Sequence, residues 1–138
     1  CLRSAALAHK LGGDADAALA VLADAERVLR RAGDRSVLAE TLVRRSDALR
    51  EVGAYAEAKA ALLTARVEGE ASRNLLAVGA ASTGLGSLAL RLGDHPTADA
   101  HLRRADAAFE AQGDSMNLMY ARSFRAMVHL AAGDLAGA

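Results

Sequence analysis

Glycine returns at a fixed interval in this chain: Gly13, Gly53, Gly93 and Gly133 stand forty residues apart. That spacing constrains the fold more than any composition does. A unit repeated every ~20–50 residues is one supersecondary element that buries its apolar face only by stacking on its copies. The register extends past the glycines: Ala18, Ala58, Ala98 and Ala138 follow them, then Leu22, Leu62 and Leu102, then Ala25, Ala65 and Ala105. A second punctuation, Gly33-Asp34 and Gly113-Asp114 with Arg73-Asn74 midway between them, cuts each period in two.

Each half-period reads as one helix. Ala98, Leu102, Ala105 and Phe109 fall at i, i+4, i+7 and i+11, a single helical stripe, and Ala18-Leu22-Ala25-Leu29 and Ala58-Leu62-Ala65 repeat it. Alanine at these places lets paired helices come close while leucine fills the space between them. Helices are predicted over 1–11, 15–32, 36–52, 55–71, 75–92, 95–111 and 115–132. Asp14, Asp34, Asn74, Asp94 and Asp114 are the expected N-caps, and Pro96 sits in a first turn, where its missing N–H costs nothing. The apolar 52% is mostly Ala and Leu, with two Phe, two Tyr and no Trp, so strands are not expected. A pair of such helices cannot cover its own apolar faces, so neighbouring pairs must stack. The expected architecture is an all-α solenoid of antiparallel helix pairs, about seven helices in one segment over 1–138. The chain opens inside a first helix and stops where another second helix should begin. A piece of a longer protein is therefore expected, or ends that self-associate.

Charge excludes some partners. Seventeen basic and seventeen acidic residues cancel, leaving no net field toward phosphate backbones or anionic membranes, so neither direct nucleic-acid binding nor a membrane role is expected. Charged residues interrupt every apolar run before the length of a spanning helix, and residues 1–11 carry no signal-peptide core. The single Cys1 cannot form an internal disulfide. A cytoplasmic location is consistent with these features. Fifteen Arg against two Lys, with abundant Ala, suggests a GC-rich bacterial genome.

The residue types that carry catalysis are present without the spacing that catalysis needs. Gly79–Leu85 has the glycine spacing of a phosphate-binding loop, but Leu85 stands where lysine is needed and the stretch is predicted mid-helix. Its glycines are better read as places of close helix contact, each costing about 1 kcal/mol of helix propensity relative to Ala. His9 and His129 lie three repeats apart, and the six-residue spacing of His95 and His101 does not put both on one helical face, so neither pair makes a zinc site. Glu68 with Glu70 and Asp14 with Asp16 sit at helix ends, where solvated or capping roles suffice. No serine carries a nucleophile-elbow pattern. The expectation is no enzyme, no cofactor and no metal.

Val52-Gly53-Ala54-Tyr55-Ala56-Glu57-Ala58 and Leu92-Gly93-Asp94-His95-Pro96-Thr97-Ala98, each followed by its Leu and Ala, resemble the turn and second helix of a tetratricopeptide repeat. Seven residues before each turn glycine stand Ala6, Ser46, Gly86 and Ala126, where that family prefers a small residue, and Leu85-Gly86 matches its Leu-Gly pair. The family's Trp is replaced by Leu42, Ser82 and Arg122, its terminal Pro is missing, and the period is forty instead of ~34. Longer variants of this kind are similar to the repeats of large LuxR-type activators and related signalling NTPases.

The resemblance implies a right-handed superhelix whose first helices line a concave face. On those helices the residues turned away from the second-helix packing are Glu40, Val43, Asp47 and Arg50, then Thr83, Ser87 and Arg91, then Tyr120, Ser123 and Met127. This mixed surface suits an extended peptide or a partner helix. The expected function is a non-catalytic protein- or peptide-binding scaffold in a multidomain bacterial regulator. The alternative is a sensor that binds a small effector and controls an attached NTPase or DNA-binding domain. Arg45, Arg122 and Arg125 fall where the family places apolar residues, so they either pair with acids inside the stack or form an anion-reading patch.

Overall fold

A computed structural model describes residues 14–133. Six helices follow one another: α1 (Asp14–Ala32), α2 (Arg35–Glu51), α3 (Tyr55–Ser72), α4 (Leu75–Arg91), α5 (His95–Gln112) and α6 (Ser115–Ala131). Every boundary lies within one residue of its predicted place. The helix expected over 1–11, the turn at Gly13 and the side chain of Asp14 lie outside what is described. No strand occurs among the described residues, and none of their helices is long and apolar enough to cross a membrane.

The forty-residue period has a simple composition. A 17-residue first helix, the link Val52-Gly53-Ala54, an 18-residue second helix and the link Arg73-Asn74 complete one unit, and α4 and α5 repeat it with the same lengths. Each turn closes the same way. The residue at 33, 53, 73, 93 and 113 takes a positive φ, and the next N–H donates to the carbonyl five residues back, as Asn74 does to Gly69 (2.8 Å) and Asp94 to Ala89 (2.9 Å). These bonds satisfy carbonyls that a helix end otherwise leaves open. Asp34, Asn74, Asp94 and Asp114 then accept from the third N–H of the following helix at 3.1–3.3 Å. The Asp94 and Asp114 carboxyls are held below the ordinary aspartate range, chiefly by the bonds to Thr97 and Asn117. Their capping contribution is therefore present above the unfolded value of 3.8 and fades as pH falls through the lowered one.

Four of those five turns use glycine, but Arg73 holds φ 57. A side chain in this region costs about 1–2 kcal/mol, part of which glycine returns through its freer unfolded chain. Arg73→Gly should raise the free energy of unfolding in urea by about 0.5–1 kcal/mol. A loss of stability would mean that the Arg73 side chain holds the turn.

Packing follows the repeat. Ala58, Leu62, Ala65, Ala98, Leu102 and Ala105 are all at most 1% exposed, so the column found in the sequence is the buried spine of α3 and α5. The mid-helix glycines of α4 are contact points. A Cβ on Gly86 would stand 2.6 Å from Leu102 Cγ, one on Gly84 would stand 2.9 Å from Leu62 Cδ1, and one on Gly79 would enter the Phe109 ring. First helices also touch along the stack, α2 with α4 and α4 with α6, whereas successive second helices make no comparable contact. First helices therefore line the tighter side of the layered stack. On α6 an apolar stripe of Met116, Met119, Tyr120, Met127 and Leu130 stays exposed.

Candidate binding face

On the tighter side, three successive first helices enclose a cleft of about 220 Å³. α2 contributes Val43, Asp47 and Arg50; α4 contributes Leu76, Ala80, Thr83 and Ser87; α6 contributes Asn117, Tyr120 and Phe124. Leu62 and Phe109 from the second helices form its floor together with Gly84. Glycine at 84 and 79 is what lets those two side chains come up beneath the cleft.

Six of the ten residues singled out from the sequence meet here: Val43, Asp47, Arg50, Thr83, Ser87 and Tyr120. Arg50 Nη2 donates to Ser87 Oγ at 3.2 Å, tying α2 to α4 across the cleft. Thr83 is only 9% exposed, and its hydroxyl donates to Gly79 O at 2.9 Å, so it forms wall and offers no open donor. Tyr120 and Phe124 meet edge to face at 4.9 Å. The other four do not line the cleft. Glu40 accepts from Asn74 Nδ2 at 3.3 Å, Arg91 stacks 4.7 Å over the Tyr55 ring, Ser123 donates to Met119 O at 2.9 Å, and Met127 is exposed. Asn74 was legible only as a cap. Its Nδ2 also donates to Ser36 O and Oγ, so the amide links two repeats in a way the aspartates at 34 and 114 cannot.

Asp47 is the acidic group that lines this cleft. Water still reaches it, yet the protein atoms around it raise its carboxyl above the ordinary aspartate range; Arg50 pulls the other way and Glu51 adds to the rise. It borders a second small hollow with Arg50, Glu51, Tyr55 and Arg91. The face thus alternates sign along its length and is apolar beneath.

The three arginines at apolar positions separate. Arg45 donates from Nη1 to Glu26 Oε2 at 3.1 Å, between α1 and α2. Arg125 bonds Asp106 Oδ2 and lies 3.4 Å from Asp99 Oδ1, joining α6 to α5. Arg103 and His129 also contact Asp99, at 2.7 and 3.5 Å. Burial alone would raise the Asp99 carboxyl, but the bonds and charges of Arg103 and Arg125 outweigh it and hold it low. Arg122 is exposed. No anion-reading patch forms from these three, because two of them are neutralised inside the stack.

Gly79–Leu85 is continuous helix within α4, so its backbone N–H groups are tied up in the helix and form no phosphate cradle. No group of three or more His, Cys, Asp or Glu gathers at metal-binding distance among the described residues. His95 and His101 lie on α5, His129 on α6, and His9 outside the described residues. Comparison of the chain with protein-family models, with curated proteins and with solved structures returns no match.

Proposed function

We propose that the chain is a protein-interaction scaffold that holds an extended peptide or a partner helix along its first-helix face. The cleft shared by α2, α4 and α6 carries this reading. It is open, runs across three repeats, and combines an apolar floor with Asp47, Arg50 and Ser87 as orienting polar groups. Such a surface matches alternate side chains of a bound segment. The tetratricopeptide resemblance, a place in a multidomain bacterial regulator, and a cytoplasmic setting belong to the same proposal and rest on the sequence alone.

The effector-sensor alternative has less support. A drug-sized ligand usually occupies about 300–1,000 Å³ and is mostly enclosed, whereas this cleft offers about 220 Å³ and the roomier hollow of about 590 Å³ between α1 and α2, lined by Val21, Leu22, Arg44 and Glu51 among others, lies open to solvent.

Partner capture tests the proposal. Proteins retained from bacterial lysate by the immobilised chain should be lost with the pair Asp47→Lys and Tyr120→Ala, while the circular dichroism melt is kept. Both positions are exposed, so folding should tolerate the change. Identical capture by wild type and variant would remove the groove from consideration.

A further inference from the structure

The repeat exposes an exception at one position. Glu26, Arg66 and Asp106 are equivalent, forty residues apart, as are Arg45, Leu85 and Arg125. In the outer two copies the acid pairs with the arginine of the next first helix. In the middle copy both partners change together. Leu85 is 2% exposed in the apolar core, and Arg66 makes no ion pair among the described residues. Instead it reaches across to the next second helix, where its Nη1 lies 3.1 Å from His101 Nδ1.

Two further cations act on that contact through their charge. Lys59 and Arg66 share one stripe of α3, at i and i+7, while His101 and Arg104 share one stripe of α5, at i and i+3. Arg104 and Lys59 both act on His101 through their charge, and Arg104 acts on Arg66. Glu70 on Arg66 and Asp94 on His101 are the opposing acids, and the cations outnumber them. Arg66 and His101 are half-buried; Lys59 and Arg104 are open to water. Cations gathered in this way repel one another unless an anion sits among them. Successive second helices pack less closely than successive first helices, and Lys59 and Arg104 are exposed to the solvent from which an anion would come.

We propose that Arg66, His101 and Arg104, with Lys59 at the edge, form a binding site for a tetrahedral oxyanion such as a phosphoryl group, on the face opposite the peptide cleft. The planar guanidinium of Arg66 offers paired donors that fit adjacent oxyanion oxygens. Without an anion, the donor Arg66 requires an unprotonated Nδ1 on His101. Burial first, and then Arg66, Arg104 and Lys59, hold that imidazole below its ordinary 6.5. A bound dianion reverses the balance and favours the imidazolium, which then donates as well. Binding and protonation are therefore linked: the anion raises the His101 pKa, and affinity rises as pH falls toward it.

Titration of the full chain with sodium sulfate, followed by the His101 ring resonances in NMR, tests this. Sulfate keeps its double charge through the range in which histidine titrates, roughly pH 5–8. Saturable shifts at His101 and an upward move of its pKa are expected, with inorganic phosphate behaving alike at neutral pH and acetate at least about tenfold weaker. Arg104→Gln, an exposed change that leaves the core intact, should weaken binding about threefold, and Arg66→Gln about tenfold or more. His95, on the same helix but outside the cluster, serves as the internal control. The proposal is overturned if sodium chloride at matched ionic strength reproduces the His101 response, or if Arg104→Gln and Arg66→Gln both leave sulfate affinity unchanged.

Discussion

Leu102→Ala should lower the free energy of unfolding by about 3 kcal/mol in urea denaturation. Leu102 is fully buried and belongs to a small cluster with Ala89, Ala98 and Val128, with Leu90 and Phe124 at its margin. Ala89, Ala98 and Gly86 beside it have no side chain long enough to swing into the space it leaves. The repeat also makes the effect conditional on residue 86. In the wild type, Gly86→Ala places a Cβ 2.6 Å from Leu102 Cγ, and overpacking of this kind costs about 1–3 kcal/mol. In the Leu102→Ala background both clashing carbons are gone, the nearest remaining atom is Ala98 O at 3.3 Å, a tight contact that a small shift relieves, and the methyl adds about 1 kcal/mol of helix propensity. Gly86→Ala is therefore expected to change sign, from destabilising in wild type to stabilising beside Ala at 102. Additive effects in that double-mutant cycle would mean that α4 and α5 do not pack through this pair.

Arg125→Leu should destabilise by about 2 kcal/mol, whereas Arg125→Leu combined with Asp106→Leu should stay within about 1 kcal/mol of wild type. The single change strands Asp106, whose side chain is 12% exposed and whose Oδ1 already lacks a hydrogen-bond partner. Asp99 suffers less, because Arg103 and His129 remain beside it. The estimate sits below the 3–5 kcal/mol typical of a fully buried pair because Arg125 keeps 28% of its side chain in water. The chain contains its own precedent for the double change. In the middle repeat Leu85 replaces the arginine and is buried at 2%, and no acid remains at position 66. If the double variant is as unstable as the single one, the network is needed for more than neutralising Asp106.

Much of the fold was open to reading from the sequence because its causes are local. Helix ends depend on a capping oxygen three residues away and on a left-handed residue just past the last turn, and both were visible as Asp, Asn and Gly at fixed intervals. Arg73 was harder to see. It carries no conformational signature, and only its place midway between Gly33 and Gly113 marks it as the left-handed residue. The candidate face was legible as helical positions, since residues three, four and seven apart share a side. Their convergence on one cleft was not, nor that Thr83 turns its hydroxyl back to its own helix while Ser87 accepts from Arg50. The basic cluster leaves one signal in the sequence: at 26, 66 and 106 the repeat reads acid, Arg, acid, and at 45, 85 and 125 it reads Arg, Leu, Arg.

The sequence by itself determined the helices, their lengths, their turns and the apolar column that obliges them to stack, since propensity, capping and periodicity act over a few residues. Tertiary structure alone decided which charges are neutralised and which are left facing one another. Net neutrality over 138 residues says nothing about a contact between Arg66 and His101, thirty-five positions apart on two helices. Electrostatic interaction falls with distance through space, and only the stacking of one repeat on the next sets that distance.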